Sequence, residues 1–380
     1  MLSLHSSSDS VKRRLTVILP TEASLEESSK IGLLSRWSFY FDYLSREFSL
    51  DVYSCDSKDY SATLHVMHHT LPYDFGFVPF GNQVAYNLLL LCSKRRFSEV
   101  VRVIGSSYFV LQFIGAEKKI LLSYPYKYSE TTRRDYGGIK GLTSFFRESR
   151  SVKSAHTIMA TTKELQNYLS ELYGRKSDLV PNFVDTTKFC PGDKKDIVLF
   201  AGRIVWQKGI DTLLHAFKAV QEKRGFLQLR IAGSGEIEHY RDVERKLNVR
   251  NVAFLGAVDN NRIAALFSEA KFFVFPSVNR EGNPKALIEA MAAGCVCVAS
   301  DVPGNNDLIE DSVNGFLFPP SDHCALYKVL DRLLADDELC ASVSKRAVES
   351  SREFAIENTL EKELSLVKQL FASIRGQGVC

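Results

Sequence analysis

Short β-branched or aromatic runs alternate with amphipathic stretches along this chain, and that alternation restricts it to βα units feeding parallel sheets. Two separate series are readable. In the first, strands are expected at Leu15 to Leu19, Leu50 to Tyr53, Val100 to Ile104, Ile120 to Ser123 and Thr157 to Ala160. In the second they are expected at Ile197 to Phe200, Leu227 to Ala232, Val252 to Leu255, Phe272 to Phe275, Val296 to Ala299 and Gly315 to Phe318. A chain of 380 residues outgrows a single hydrophobic core, so each series is expected to build its own domain. The segment Asp185 to Lys195, which holds Cys190-Pro-Gly192 and several charges, reads as the linker. The expected division is 1–184, 185–355 and a terminal helical segment, 356–380. In that segment Leu360, Leu364, Val367, Leu370 and Phe371 recur at helical spacing, and the helix is expected to pack back on the first domain.

Charge and cysteine usage narrow the class of function. The net charge of +3 gives no case for a nucleic-acid partner, but it is unevenly spread: Lys94 to Lys153 holds thirteen Lys or Arg against five Asp or Glu. Such a segment suits phospholipid headgroups, a phosphorylated acceptor or RNA, and peripheral contact with an anionic membrane is the partner it suggests. The eight cysteines are scattered without a C-x-x-C spacing, so neither a disulfide framework nor a metal site is expected. No apolar run approaches the roughly 18 residues that span a bilayer. A cytoplasmic protein, peripheral at the membrane if attached at all, is the expectation.

Three segments carry chemistry. After the strand ending at Phe200 comes Ala201-Gly-Arg-Ile-Val-Trp-Gln-Lys-Gly209, in which Gly202 and Gly209 permit sharp turns and Arg203 and Lys208 place two cations at a strand's mouth. Two fixed cations there can neutralise a diphosphate without a metal. Gly233-Ser-Gly235 follows the next strand and leaves room for close backbone approach ahead of another helix. The third segment, residues 281–289, reads EGNPKALIE. Asn283 is suited to cap a helix and Pro284 to open it, which puts Glu281 on the preceding loop and Glu289 in the second turn.

These segments in this order resemble glycosyltransferase family 4, the retaining nucleotide-sugar transferases of GT-B fold. The resemblance runs from Pro181 to about Pro320 and takes in Pro181-Asn-Phe-Val-Asp185 and Ser300-Asp-Val-Pro-Gly304. It implies two Rossmann-like domains facing across a cleft. It also implies transfer of a hexose-type sugar from a UDP- or GDP-linked donor to a hydroxyl of a glycan or lipid-linked acceptor, with no metal and no cofactor. By the same resemblance Arg203 and Lys208 would meet the diphosphate, Glu281 the donor sugar and Glu289 the ribose. Gly202, Gly233, Ser234, Gly235 and the stretch Gly282, Asn283, Pro284 and Lys285 would cradle the donor, and Val258 would lie beside the base.

The first domain departs from the family's pattern. Pro20 is followed by Thr21 to Lys30 without the usual glycine pair, and a Tyr-rich stretch, Tyr124-Pro-Tyr-Lys-Tyr128, stands where many members have a His. Tyr124 and Tyr126 are the acceptor-side candidates. Two other readings keep the same fold: a nucleotide-sugar epimerase or a sugar phosphorylase. A third is a non-catalytic nucleotide-sugar-binding protein, against which the presence of all four charged residues argues. A glycoside hydrolase would explain the two glutamates but leaves Arg203, Lys208 and the glycine loops without a purpose.

Overall fold

The structure, a computed structural model, describes residues 12–20, 24–30, 34–71, 82–105, 111, 113–115, 117–125, 127, 130, 132–133 and 138–375. Its contacts divide the chain into two units. One comprises Met1–Met159, Tyr173–Ser177 and Glu363–Cys380, the other Ala160–Leu172 and Asp178–Lys362.

The first sheet has seven strands: β1 (Arg13–Ile18), β2 (Phe48–Ser54), β3 (Met67–Thr70), β4 (Val100–Ile104), β5 (Lys119–Tyr124), β6 (Thr157–Ala160) and β7 (Asp178–Leu179). They lie in the order β3-β2-β1-β4-β5-β6-β7. Val17, Val52, Val101, Val103, Leu121 and Leu122 are wholly buried, as strands covered on both faces require. The sequence reading omitted β3 and β7. β3 reads Met-His-His-Thr and buries only His68, so no apolar run marks it; backbone pairing with β2 makes it a strand. β7 is two residues long.

The helix Ile356–Arg375 carries Glu363 to a buried cluster in the first unit, where its Oε1 accepts from Arg102 Nε at 2.5 Å and from the Tyr40 hydroxyl at 2.5 Å. Burial, with the Glu363 carboxylate beside it, pushes the Tyr40 phenol well up. Phe371 of the same helix stacks on Phe48 of β2 with ring centroids 5.3 Å apart. Arg102 is therefore a structural cation, and the basic segment Lys94 to Lys153 is only partly a surface feature. No described helix is long and apolar enough to cross a membrane.

The second sheet is built from β8 (Lys195–Ala201), β9 (Gln228–Ala232), β10 (Val252–Gly256), β11 (Ala270–Phe275), β12 (Val296–Ser300) and β13 (Phe316–Phe318). All five strand pairs are parallel, in the order β10-β9-β8-β11-β12-β13. Phe200, Phe272 and Phe273 are completely buried, each worth about 1.5–3 kcal/mol relative to exposure. Each apolar run anticipated in this half is a strand, within a residue or two at either end.

Candidate active site

Strand order decides where a ligand can sit in the second unit. From β8 the chain adds β9 and β10 outward on one side, then returns to place β11 against the opposite edge of β8 and continues outward through β12 and β13. The loops after β8 and β11 therefore diverge over a topological switch point, the crevice at which open parallel sheets hold ligands. Arg203 and Lys208 lie on the first of these loops and Glu281 on the second.

The β8 loop is short and tightly bent. A 3₁₀ turn, Trp206–Lys208, ends at Gly209, whose φ of 68° is in the left-handed region and starts the helix Ile210–Lys223. A Cβ at Gly209 would strike the carbonyl oxygen of Pro276, so only glycine fits there. The β11 loop is stitched to it: Val278 N–H donates to the Gln207 carbonyl at 2.8 Å, and Glu281 N–H donates to that of Pro303, also at 2.8 Å.

Held this way, Lys208 Nζ lies 2.6 Å from Glu281 Oε1, with both side chains 15% exposed. The Ser277 hydroxyl donates to the same Oε1 at 2.5 Å, and Lys208 Nζ also stands 5.0 Å from the Phe275 ring centroid. Charge-assisted hydrogen bonds of this kind contribute about 1.5–3 kcal/mol. Arg203 differs from Lys208: it is exposed and makes no ion pair among the described residues. The site thus presents one open cation and one that a carboxylate holds in place. Beside them Arg280 pairs with Glu164 at 3.0 Å.

Gly233 and Gly235 have a role their sequence did not reveal. A Cβ on Gly233 would collide with the Gly202 carbonyl, and one on Gly235 with that of Ile204. The β8 and β9 loops are zipped together, Ile204 N–H donating to Ser234 O at 2.8 Å and Glu236 N–H to Ile204 O at 2.7 Å. Loop-to-loop packing is therefore enough to demand both glycines. Ser234 between them is exposed.

The capping of the helix after Glu281 corrects the sequence reading. The helix is Lys285–Ala292 with Pro284, not Asn283, at the N-cap position and no side-chain cap bond. Asn283 is 7% exposed and its Oδ1 instead accepts from Asn182 N–H at 2.8 Å. Its carbonyl accepts from Asn182 Nδ2 at 2.6 Å. An oxygen already satisfied by one backbone donor has no reason to turn to the helix's own. Glu289 lies half-buried in the second turn, and Lys285 and Gly282 are half-buried at its start. Val258 follows β10, two places from the switch point on the β9 side, and is half-buried. Ser277 and Asn182 were not singled out from sequence. The only available signals were a serine between strand and acid and an asparagine within Pro181 to Asp185.

Of the acceptor-side candidates, Tyr124 ends β5 completely buried, with its hydroxyl donating to Glu148 Oε1 at 2.7 Å. Tyr126 lies outside the described residues. A Ser-His-Asp set does come together at the ends of β2 and β3, but its protons run the wrong way for a nucleophile. Tyr60 N–H donates to His68 Nδ1 at 3.0 Å, so the ring proton sits on Nε2, which faces Ser54 Oγ at 2.6 Å. Ser54 then gives its own proton to Asp56. A general base would need a lone pair towards that serine. Among the described residues no group of three or more His, Cys, Asp or Glu could hold a metal ion.

Residues 187–350 match the family model described as Glycosyl transferases group 1. A phosphatidyl-myo-inositol mannosyltransferase of Mycobacterium leprae is 38% identical over 143 residues, 37% of this chain and 38% of that protein. The match thus spans well under half the length of that relative. Sucrose-phosphate synthase from Thermosynechococcus elongatus superposes with a TM-score of 0.77 at 19% identity, covering 95% of this chain and all (100%) of that one. Anabaena HepE, solved with UDP and glucose, gives 0.74 at 14% identity, covering 93% and 99%. These likenesses show the GT-B fold.

Proposed function

We propose, taking the group 1 glycosyltransferase domain at residues 187–350 as the premise, that this chain transfers a hexose-type sugar from a nucleoside diphosphate to a hydroxyl of a glycan or lipid-linked acceptor. The observation that carries the reading is the Lys208–Glu281 pair at the β8/β11 switch point, with Arg203 exposed on the same loop as Lys208. In the proposed mode the diphosphate lies between Arg203 and Lys208, whose charges stabilise the leaving group as the bond to the sugar breaks. Glu281, aligned by Ser277, accepts hydrogen bonds from the sugar hydroxyls, and the N-terminus of the helix Lys285–Ala292 favours the anion. Glu289 takes the ribose and the β10 loop at Val258 the base. Anomeric configuration is retained and no metal takes part. The HepE complex with UDP and glucose supports a nucleotide-sugar donor by analogy of fold.

The first unit is proposed to take the acceptor. Its helix Gly138–Ser154 exposes Leu142 at 57% and Phe146 at 58%, with Arg150 and Lys153 also exposed further along. Two apolar side chains one turn apart, followed by two cations, suit an anionic bilayer surface near a lipid-linked acceptor. That the mannosyltransferase relative is named for a phospholipid supports this choice.

The test is a thermal-shift screen against UDP-, GDP- and ADP-sugars, followed by product analysis with the best donor and anomeric assignment by NMR. If no nucleotide sugar stabilises the protein and none is transferred or hydrolysed, the proposed function fails. Absence of salt-sensitive flotation with anionic vesicles would remove the membrane contact alone.

A further inference from the structure

We infer that Asn182 is a positioning residue for the loop that carries Glu281 and Asn283. It lies about a hundred positions away in sequence and on no strand of the second sheet, yet it grips Asn283 from two directions at once. Its backbone N–H donates to Asn283 Oδ1 at 2.8 Å and its side-chain Nδ2 to the Asn283 carbonyl at 2.6 Å. Asn283 is 7% exposed and Asn182 half-buried, so both bonds are partly shielded from competing water.

A clamp positions a loop only if it is itself held, and Asn182 is. Two residues on, Val184 N–H donates to the Phe354 carbonyl at 2.8 Å and Val184 O accepts from Ile356 N–H at 3.0 Å, a parallel bridge to Ala355. Val184 is 1% exposed and Val180, on the other side, 6%. Val180 N–H also donates to the Ala160 carbonyl at 2.9 Å, so the strap from 180 to 184 is fixed at both ends by burial and by backbone hydrogen bonds.

Between Glu281 and the helix Lys285–Ala292 only three residues intervene, and Asn283 is the middle one. Glu281 itself is tied by its N–H to Pro303 and by its carboxylate to Lys208 and Ser277. Without the Asn182 bonds, the turn from Glu281 into the helix has no side-chain cap to fix it. The consequence is specific: Asn182 sets how Glu281 and the helix N-terminus are aimed together, and so acts on the transfer step through Glu281. This rests on the proposed function for its catalytic readout, while the loop's order can be read without it.

The informative substitution is Asn182→Asp, which keeps shape and the backbone donor but turns the Nδ2 donor into an oxygen facing the Asn283 carbonyl. Hydrogen exchange by mass spectrometry, run on the full chain without donor, is expected to show faster exchange in peptides covering 278–288 than in wild type, and unchanged exchange in β8 and β12. With the best donor found in the screen, kcat at about pH 8 is expected to fall roughly tenfold or more, about 1.4 kcal/mol, while KM for the donor moves less than about threefold. Protonating the new carboxyl restores a donor to the Asn283 carbonyl, and the oxygen of that carbonyl, facing the carboxylate at a half-buried position, raises its pKa. The ratio of variant to wild-type kcat should therefore climb as the pH is lowered from about 8 towards about 5.5. Asn182→Ala, which cannot regain a donor, should show no such climb. Unchanged exchange over 278–288 overturns the inference, as does a kcat ratio that is flat with pH. If exchange rises while no nucleotide sugar is turned over by wild type, the positioning stands and the proposed function is what fails.

Discussion

Replacing Lys208 with Met removes the ammonium while keeping most of the side chain's bulk over Phe275. At 2.6 Å and an effective dielectric of about 20, the Coulomb attraction to Glu281 is ~6 kcal/mol before desolvation. Desolvation of two side chains that are each 15% exposed cancels much of this, so the net loss of stability is expected at about 1.5–3 kcal/mol. For a unit of roughly 200 residues that is a fall in Tm of about 3–12 °C. The effect on catalysis should be larger than the effect on folding. A preorganised donor aimed at developing charge is worth about 10²–10³ in kcat. Ser277 still holds Glu281 in the variant, so the loop keeps its place and donor KM should change far less than kcat. The assay is steady-state transfer with the best donor, beside thermal melts of Lys208→Met, Glu281→Gln and the double variant. Because Glu281→Gln removes the charge that Lys208 balances, the double variant is expected to recover about 1 kcal/mol of stability relative to the sum of the singles, and no activity. A Lys208→Met protein that keeps kcat within threefold of wild type would refute the role given to this cation, and strict additivity in the melts would refute the coupling.

Gly209→Ala should cost more than about 4 kcal/mol, because neither the positive φ nor the Pro276 carbonyl beneath it can yield; soluble protein with a Tm near wild type would contradict this. Glu363→Ala strands Arg102 in the core and is expected to cost ~3–5 kcal/mol in chemical denaturation, whereas Glu363→Leu with Arg102→Met should recover most of the loss. In the first unit, burial would by itself raise the Asp56 carboxyl, but hydrogen bonds from His68, Ser54 and the Glu26 N–H outweigh it and hold the pKa below the ordinary value. An acid depressed in the folded state adds stability that is complete above about pH 3.9 and is lost as the pH falls through the folded value. Asp56→Asn should therefore flatten the acid limb of the stability curve below about pH 4, and an unchanged slope there would show that the carboxylate is not what is titrating.

The strands of the second unit were readable because each contains a short apolar run: β8 from Ile197 onward, β11 and β12 are almost wholly buried, while β9 keeps its run despite Arg230 and β10 despite having no fully buried residue. β3 was not readable because it is a strand by virtue of its pairing with β2, with His68 alone turned to the interior. The basic stretch Lys94 to Lys153 looked uniform, yet Arg102 is spent on Glu363 and Lys118 on the Phe97 carbonyl, while Arg150 and Lys153 face solvent. Composition counts charges and cannot say which of them are buried. The capping role expected of Asn283 failed for a related reason: local rules name the best use of an asparagine before a helix, but a backbone donor from Asn182 reached its oxygen first.

What the sequence by itself determined is the βα alternation, the two series of strands and the residue types at the strand ends, because these follow from local propensity and from the period of the apolar pattern. What only the tertiary structure decided is which strand ends are neighbours. Lys208 and Glu281 are 73 residues apart and meet because β11 returns to the free edge of β8, and Asn182 and Asn283 are 101 apart and meet because the strap between β7 and β8 passes beside the β11 loop. Strand order is set by the packing of whole sheets and helices against each other, and no local stretch of chain contains it.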